Sequence, residues 1–130
     1  MLIIDTHIWI KWIIEGGKTL PPSIIARLES EDRVCISAVS CLEVAWLVRN
    51  GRIELPMDID QWIQNSLEPA GIECLPVTCR IAQSSAELPQ HHKDPSDRII
   101  IATAIAHNSS LASLDGVFPA YKEISSLLVS

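Results

Sequence analysis

Apolar positions along the chain fall into short blocks separated by polar turns, and the spacing within each block predicts its local structure. Leu2-Ile3-Ile4 is apolar at every position, the pattern of a strand covered on both faces. Asp5 or Thr6 can cap a following helix that runs to about Ile14, and Gly16-Gly17 ends it. Pro21-Pro22 opens a second helix, Ser23 to Ser30, since proline is tolerated in a first turn. Val34 to Ile36 reads as the next strand. Ser37 or Ser40 then opens a helix reaching about Arg49, closed by Asn50-Gly51.

Farther along, Asp58 or Asp60 caps a helix through Trp62 to about Leu67, and Gly71 stops it. Ile72 to Val77 reads as a strand interrupted by Pro76. Thr78 caps a helix from Cys79 to Leu88, and Pro89 to Lys93 is a polar loop. Asp94-Pro95 starts the longest helix, to Ala106, closed around Asn108. Leu111 to Leu114 is a strand, Asp115-Gly116 a turn, and Ile124 to Val129 supplies a last strand. Strands alternating with helices predict one α/β domain over residues 1–130. Its central sheet is mostly parallel, of four to five strands, with helices on both faces. Ligands in such sheets bind beyond the carboxyl ends of the strands, where strand order reverses.

Composition narrows the class. Hydrophobic residues make up 48% and charged residues 20% of the chain, which excludes a disordered polymer. The apolar run from Leu2 to Ile14 is broken by Asp5, His7 and Lys11, has no basic start, and is too short for a bilayer. A cytoplasmic protein with no membrane association is expected. Cys35, Cys41, Cys74 and Cys79 form no C-x-x-C pair and sit in apolar stretches, so they read as buried thiols of a reducing compartment.

Five acids fall where the sheet rule places chemistry: Asp5, Glu43, Asp94, Asp97 and Asp115. Each has a structural explanation of its own. Asp5 can be an N-cap, Ser40 to Glu43 a capping box, Asp94 a cap with Asp97 at the third helical position, and Asp115-Gly116 a turn. Capping, however, is served equally by Ser, Thr or Asn. Acids from four separate segments, predicted to converge, repel one another unless a cation joins them. An all-oxygen donor set of this kind suits Mg2+ or Mn2+.

The same segments carry a resemblance. Leu2-Ile3-Ile4-Asp5-Thr6-His7 looks like the opening motif of the PIN-domain nucleases, and Ile36 to Ala45, with Glu43, like their second acidic motif. His91 to Ala104, with its Asp94-Pro95-Ser96-Asp97-Arg98 core, resembles the third, and Leu111 to Asp115 the fourth. The motifs span nearly the whole chain in order, and their compact version is most similar to VapC-type toxins of toxin–antitoxin pairs. That resemblance implies a helix-covered parallel sheet, single-stranded RNA as substrate, Mg2+ or Mn2+ as cofactor, a homodimer and a small antitoxin partner. The net charge of −6 disfavours a sequence-reading DNA binder but not a nuclease, because a bound cation reverses the sign that a phosphate meets.

On this reading Asp5, Asp97 and Asp115 hold the cation directly or through water. Glu43 stands close by and orients or deprotonates the attacking water. Asp94 is chiefly a cap. Thr6 either hydrogen-bonds near the cation or caps the first helix. Arg98 reads as a surface ion pair, with contact to phosphate or support of an acid as the functional alternative. His91 and His92 read as solvated loop residues. Trp9, Trp12, Trp46 and Trp62 read as core or interface rather than base-stacking platforms, with a dimer or antitoxin surface expected at Trp9 and Trp12. Two rival classes remain. A receiver-like phosphoacceptor domain would need an acidic pair after the first strand and an acid after the third, where Thr6 and Thr78 stand. A silent binding module of the same fold would have no use for the acids.

Overall fold

The computed structural model describes all 130 residues. Five parallel strands form its sheet: β1 (Leu2–Ile4), β2 (Val34–Ser37), β3 (Ile72–Leu75), β4 (Ser110–Ala112) and β5 (Leu128–Val129). Their spatial order is β3-β2-β1-β4-β5. The chain builds outward from β1 through β2 to β3, then returns to the other side of β1 for β4 and β5. Strand order therefore reverses between β1 and β4, and Leu2, Ile3 and Ile4 pair with Ser110, Leu111 and Ala112 across that seam.

Side chains alternate along β1, so Leu2 and Ile4 face one core and Ile3 the other. The first core lies under α1 (Thr6–Glu15), α2 (Pro22–Ser30), α3 (Val39–Arg49) and α4 (Ile59–Asn65), and contains Ile8, Trp9, Ile24, Val44 and Trp62. The second lies under α6 (Pro95–His107) and two 3-10 turns, Phe118–Ala120 and Lys122–Ile124, with Ile100, Ala104, Phe118 and Tyr121 at its centre. The remaining helix, α5 (Cys79–Glu87), packs against α6.

Helix ends follow local chemistry. Asp5, Asp58, Thr78 and Asp94 each cap a helix by accepting a backbone N–H with the side chain. Gly16 ends α1 in the left-handed region at φ +64°, and Asn108 ends α6 at φ +47°. Three expected boundaries shift. The strand after Gly71 stops at Leu75, before Pro76, and β4 begins one residue early and stops at Ala112. Of the expected last strand, Ile124 ends a 3-10 turn and residues 125–127 form a further turn, which leaves only Leu128 and Val129 to pair with Leu111 and Ala112.

Two expectations about side chains are corrected. Only Cys35 is buried; Cys41 is half-buried, Cys74 and Cys79 are exposed, and all four are free thiols. Trp9 does not face a partner: its ring packs on Trp62 at 5.0 Å and its indole N–H donates to the Ser66 carbonyl at 3.0 Å. The apolar character of α1 is satisfied inside the chain only in part: Ile8 and Trp9 are buried, Ile10, Trp12 and Ile13 are half-buried against the first core, and Ile14 is exposed.

Candidate metal centre

The carboxyl ends of β1 and β4 deliver the first two acids. Asp5 follows β1 and is 4% exposed. Its Oδ1 accepts the Ile8 N–H at 2.9 Å, and its Oδ2 accepts the Ser113 hydroxyl at 2.6 Å. Burial raises its pKa against the pull of these two bonds. Ser113 follows β4, and its oxygen also accepts the Asp115 N–H at 3.1 Å. One serine thus ties the two strand ends and sets where Asp115 leaves the sheet.

Glu43 projects from α3. Thr6 Oγ1 lies 2.8 Å from Glu43 Oε1 and 2.8 Å from Ser40 Oγ. An ionised carboxylate only accepts, so the Thr6 proton goes to Glu43 and the Ser40 hydroxyl donates to Thr6. The expected capping box does not form. Ala38, with no side-chain bond, is the N-cap of α3, because Ser40 is turned inward to Thr6. Thr6 is not a cap either, since Asp5 holds that place. Burial raises the Glu43 pKa, the Thr6 bond opposes it, and the charges of Asp94 and Asp5 add to the rise.

The first turn of α6 supplies the other pair. Asp94 is a true cap, its Oδ1 accepting the Ser96 N–H at 2.8 Å. One oxygen each of Glu43, Asp94 and Asp97 lies within 4.8 Å of the others. Asp97 also belongs to a second group, with His92 and Asp115, inside the same limit. Asp97 is therefore the carboxylate common to both clusters. Burial, then the charges of Glu43 and Asp94, push its pKa up to about 7. Asp115 goes the other way. Burial would raise it, but bonds from His92 and the Val117 N–H outweigh that and leave it below the ordinary value.

His92 and Arg98 depart from expectation. His92 is not solvated: its Nε2 lies 3.0 Å from Asp97 Oδ2 and 3.0 Å from Asp115 Oδ2. Loop closure, not sequence proximity, brings it there, because Tyr121 holds the His92 backbone N–H at 2.8 Å. Arg98 makes no surface ion pair. It is 7% exposed and donates to the carbonyls of Leu88 and Pro89 at 2.8 Å, and to those of Ala86 and His92 at 3.3 Å. The guanidinium organises the loop before α6 and turns away from the acids.

None of the five acids is ion-paired with a lysine or arginine. The donors are carboxylate oxygens with one imidazole beside them, and burial first, then neighbouring carboxylates, raises the pKa values of Asp5, Glu43 and Asp97. Such a set fits a hard divalent cation. Two openings flank it. A cleft of about 270 Å³ is lined by Asp5, His7, Lys11 and Asp115. A groove of about 740 Å³ runs from Glu43 and Asp94 past Trp46 to Asn50 and Arg52.

Residues 2–124 match the model of the PIN domain. The chain belongs to the PIN domain family. Ribonuclease VapC22 of Mycobacterium tuberculosis (strain ATCC 25618 / H37Rv) is 30% identical over 115 residues, covering 88% of this chain and 86% of that protein. Among solved structures, this PIN domain superposes with a TM-score of 0.69 on VapBC2 from Rickettsia felis bound to a DNA fragment from its promoter, at 18% identity over 98% of this chain and 96% of the other. A toxin–antitoxin complex from Klebsiella pneumoniae gives a TM-score of 0.65 at 20% identity, over 100% and 97% of the two chains. These two likenesses establish the PIN fold. In that fold the acids expected from the sequence all stand at one end of the sheet, around the reversal between β1 and β4.

Four partners of the acids were missed by sequence reasoning: His92, Ser113, Ser40 and Thr6 as the holder of Glu43. Only Ser113 left a signal, in its place two residues before Asp115.

Proposed function

We propose that this PIN domain, residues 1–130, is a metal-dependent endoribonuclease that hydrolyses single-stranded RNA, and the toxin of a toxin–antitoxin pair. The observation that carries the reading is Asp97, half-buried and shared by two clusters, one with Glu43 and Asp94 and one with His92 and Asp115, with no lysine or arginine paired to any of the acids. Asp5, Asp97 and Asp115, with Glu43, would hold Mg2+ or Mn2+. When bound, such a cation neutralises charge at the phosphate and makes a nearby water more acidic.

The remaining work falls to the chain. Thr6 fixes one oxygen of Glu43, and the other has no protein partner, so Glu43 is placed to take the proton of the attacking water. Water adds to phosphorus and the phosphodiester P–O bond breaks. Lys11, which lines the small cleft with Asp5, supplies positive charge to the backbone of a bound strand. Trp46, 55% exposed and one turn beyond Glu43, offers a face for an unstacked base, with Arg52 in the same groove. Exposed bases of this kind are available in single strands and not in duplexes.

The similarity to a VapC ribonuclease and to toxin–antitoxin complexes supports a small antitoxin as partner, and a homodimer is the assembled form that the family resemblance leads us to expect. No helix is long and apolar enough to cross a membrane. Four free thiols suit the reducing cytoplasm as the place of action.

The test is cleavage of single-stranded RNA by purified protein with Mg2+ or Mn2+, with and without EDTA, beside Asp5→Asn and Asp97→Asn. We expect cleavage by the parent chain only, abolished by EDTA. Equal cleavage by the variants, or none by any protein across varied RNAs, would leave the chain a silent binding module.

A further inference from the structure

His92 is held from several directions. Its backbone N–H donates to the Tyr121 hydroxyl at 2.8 Å and its carbonyl accepts from Arg98 at 3.3 Å. The ring stands edge-on to Phe118, centroids 6.0 Å apart, and the side chain is 15% exposed. What remains is the direction of its two nitrogens. Nδ1 receives the backbone N–H of Asp94 at 3.2 Å, so that nitrogen presents its lone pair and Nε2 is the nitrogen that donates. Nε2 in turn lies 3.0 Å from both Asp97 Oδ2 and Asp115 Oδ2.

Donors around a divalent cation, on bonds of about 2.1 Å at right angles, would also stand about 3.0 Å apart. The spacing alone therefore fits two roles, ligand or hydrogen-bond donor. The tautomer separates them. A nitrogen that carries a proton has no lone pair to give a metal, and moving that proton to Nδ1 would set it against the Asp94 N–H.

We propose that His92 is a positioning residue of the cation site: its Nε2–H bridges Asp97 and Asp115, holds the two carboxylates side by side, and competes with a cation for the same two oxygens. The inference rests on the acids being a cation site. Because the His92 backbone is tied at both its N–H and its C=O, displacement is a rotation of the side chain and leaves the loop in place. The protein thus carries an occluding contact that sets how much free cation is needed to load it.

The experiment is calorimetric titration of the metal-free full chain with Mn2+, comparing the parent with His92→Leu, which fills similar space without a donor, and His92→Gln, which retains an N–H. A hydrogen bond to a charged group that must be broken on loading corresponds to about tenfold in affinity. We expect His92→Leu to bind Mn2+ about tenfold more tightly and His92→Gln to stay near the parent. Weaker or unchanged binding by His92→Leu overturns the proposal, since a ligand would give the first and a bystander the second. If His92→Leu fails to fold, 15N spectroscopy of the parent imidazole during Mg2+ titration decides. Nε2 should remain protonated and shift as it leaves the acids; loss of its proton on loading would make it a ligand and overturn the inference. A parent chain that binds no Mn2+ at all would remove the cation-site reading itself, and this proposal with it.

Discussion

Thr6 shows how much one hydroxyl can decide. It is buried, it sits one residue beyond β1, and through a single proton it fixes the carboxylate that the proposed reaction needs as a base. Replacing it with valine keeps the shape and removes the proton, leaving both Ser40 and Glu43 short of a partner. The expected result for Thr6→Val is a loss of RNA cleavage of about tenfold or more. Stability should fall by only about 1–3 kcal/mol, the usual cost of an unmet buried polar group. Single-turnover cleavage beside urea denaturation checks both, and full activity would remove Thr6 from the site. The sequence left Thr6 open between a hydrogen bond near the cation and the role of cap; its bond to Glu43 was not visible there. Asp5 was legible because it follows three apolar residues directly. Its tie to Ser113 was not, because that contact depends on which strand lies beside β1.

At the scale of elements, α6 performs two tasks within one turn. Asp94 caps it and Asp97, three residues on, enters the cluster of acids. The Asp94-Pro95 start and the long apolar run after it made this helix plain in the sequence. The direction of Arg98 was not plain, because a guanidinium finds carbonyls in a loop whose path no periodicity encodes. Asparagine caps as well as aspartate, so Asp94→Asn separates the two tasks. We expect thermal stability within a few degrees of the parent. Cleavage should change by less than about tenfold, far below the loss in Asp97→Asn, with general acid–base contributions as the scale. A drop equal to that of Asp97→Asn would make Asp94 a full member of the site.

For the whole molecule, the crowded acids link stability to pH. In the fold Asp97 loses its proton only near pH 7, against about 4 in an unfolded chain. The folded state therefore holds a proton that the unfolded state has lost. This contribution is complete below about pH 4 and disappears as pH rises through 7. Asp5 and Glu43 are shifted in the same direction, whereas the lowered Asp115 acts below its ordinary value, outside that window. Metal-free protein should therefore melt at a lower temperature at pH 8 than at pH 5, with a smaller difference in Asp97→Asn. Saturating Mg2+ should stabilise more at pH 8 than at pH 5, because ligation requires ionised carboxylates. Parallel melting of parent and Asp97→Asn across this range would contradict the assignment.

The order of the strands has a consequence for synthesis. β1 and one of its two neighbours in the sheet, β4, are separated in the chain by two strands and six helices. The bond from Ser113 to Asp5 closes across 108 residues. A ribosome that has released the first three helices has exposed Asp5 and Glu43, but neither Asp97 nor Asp115 exists in the chain. A chain that stops short of Asp115 lacks a corner of the site, which is complete only once β4 slots in beside β1.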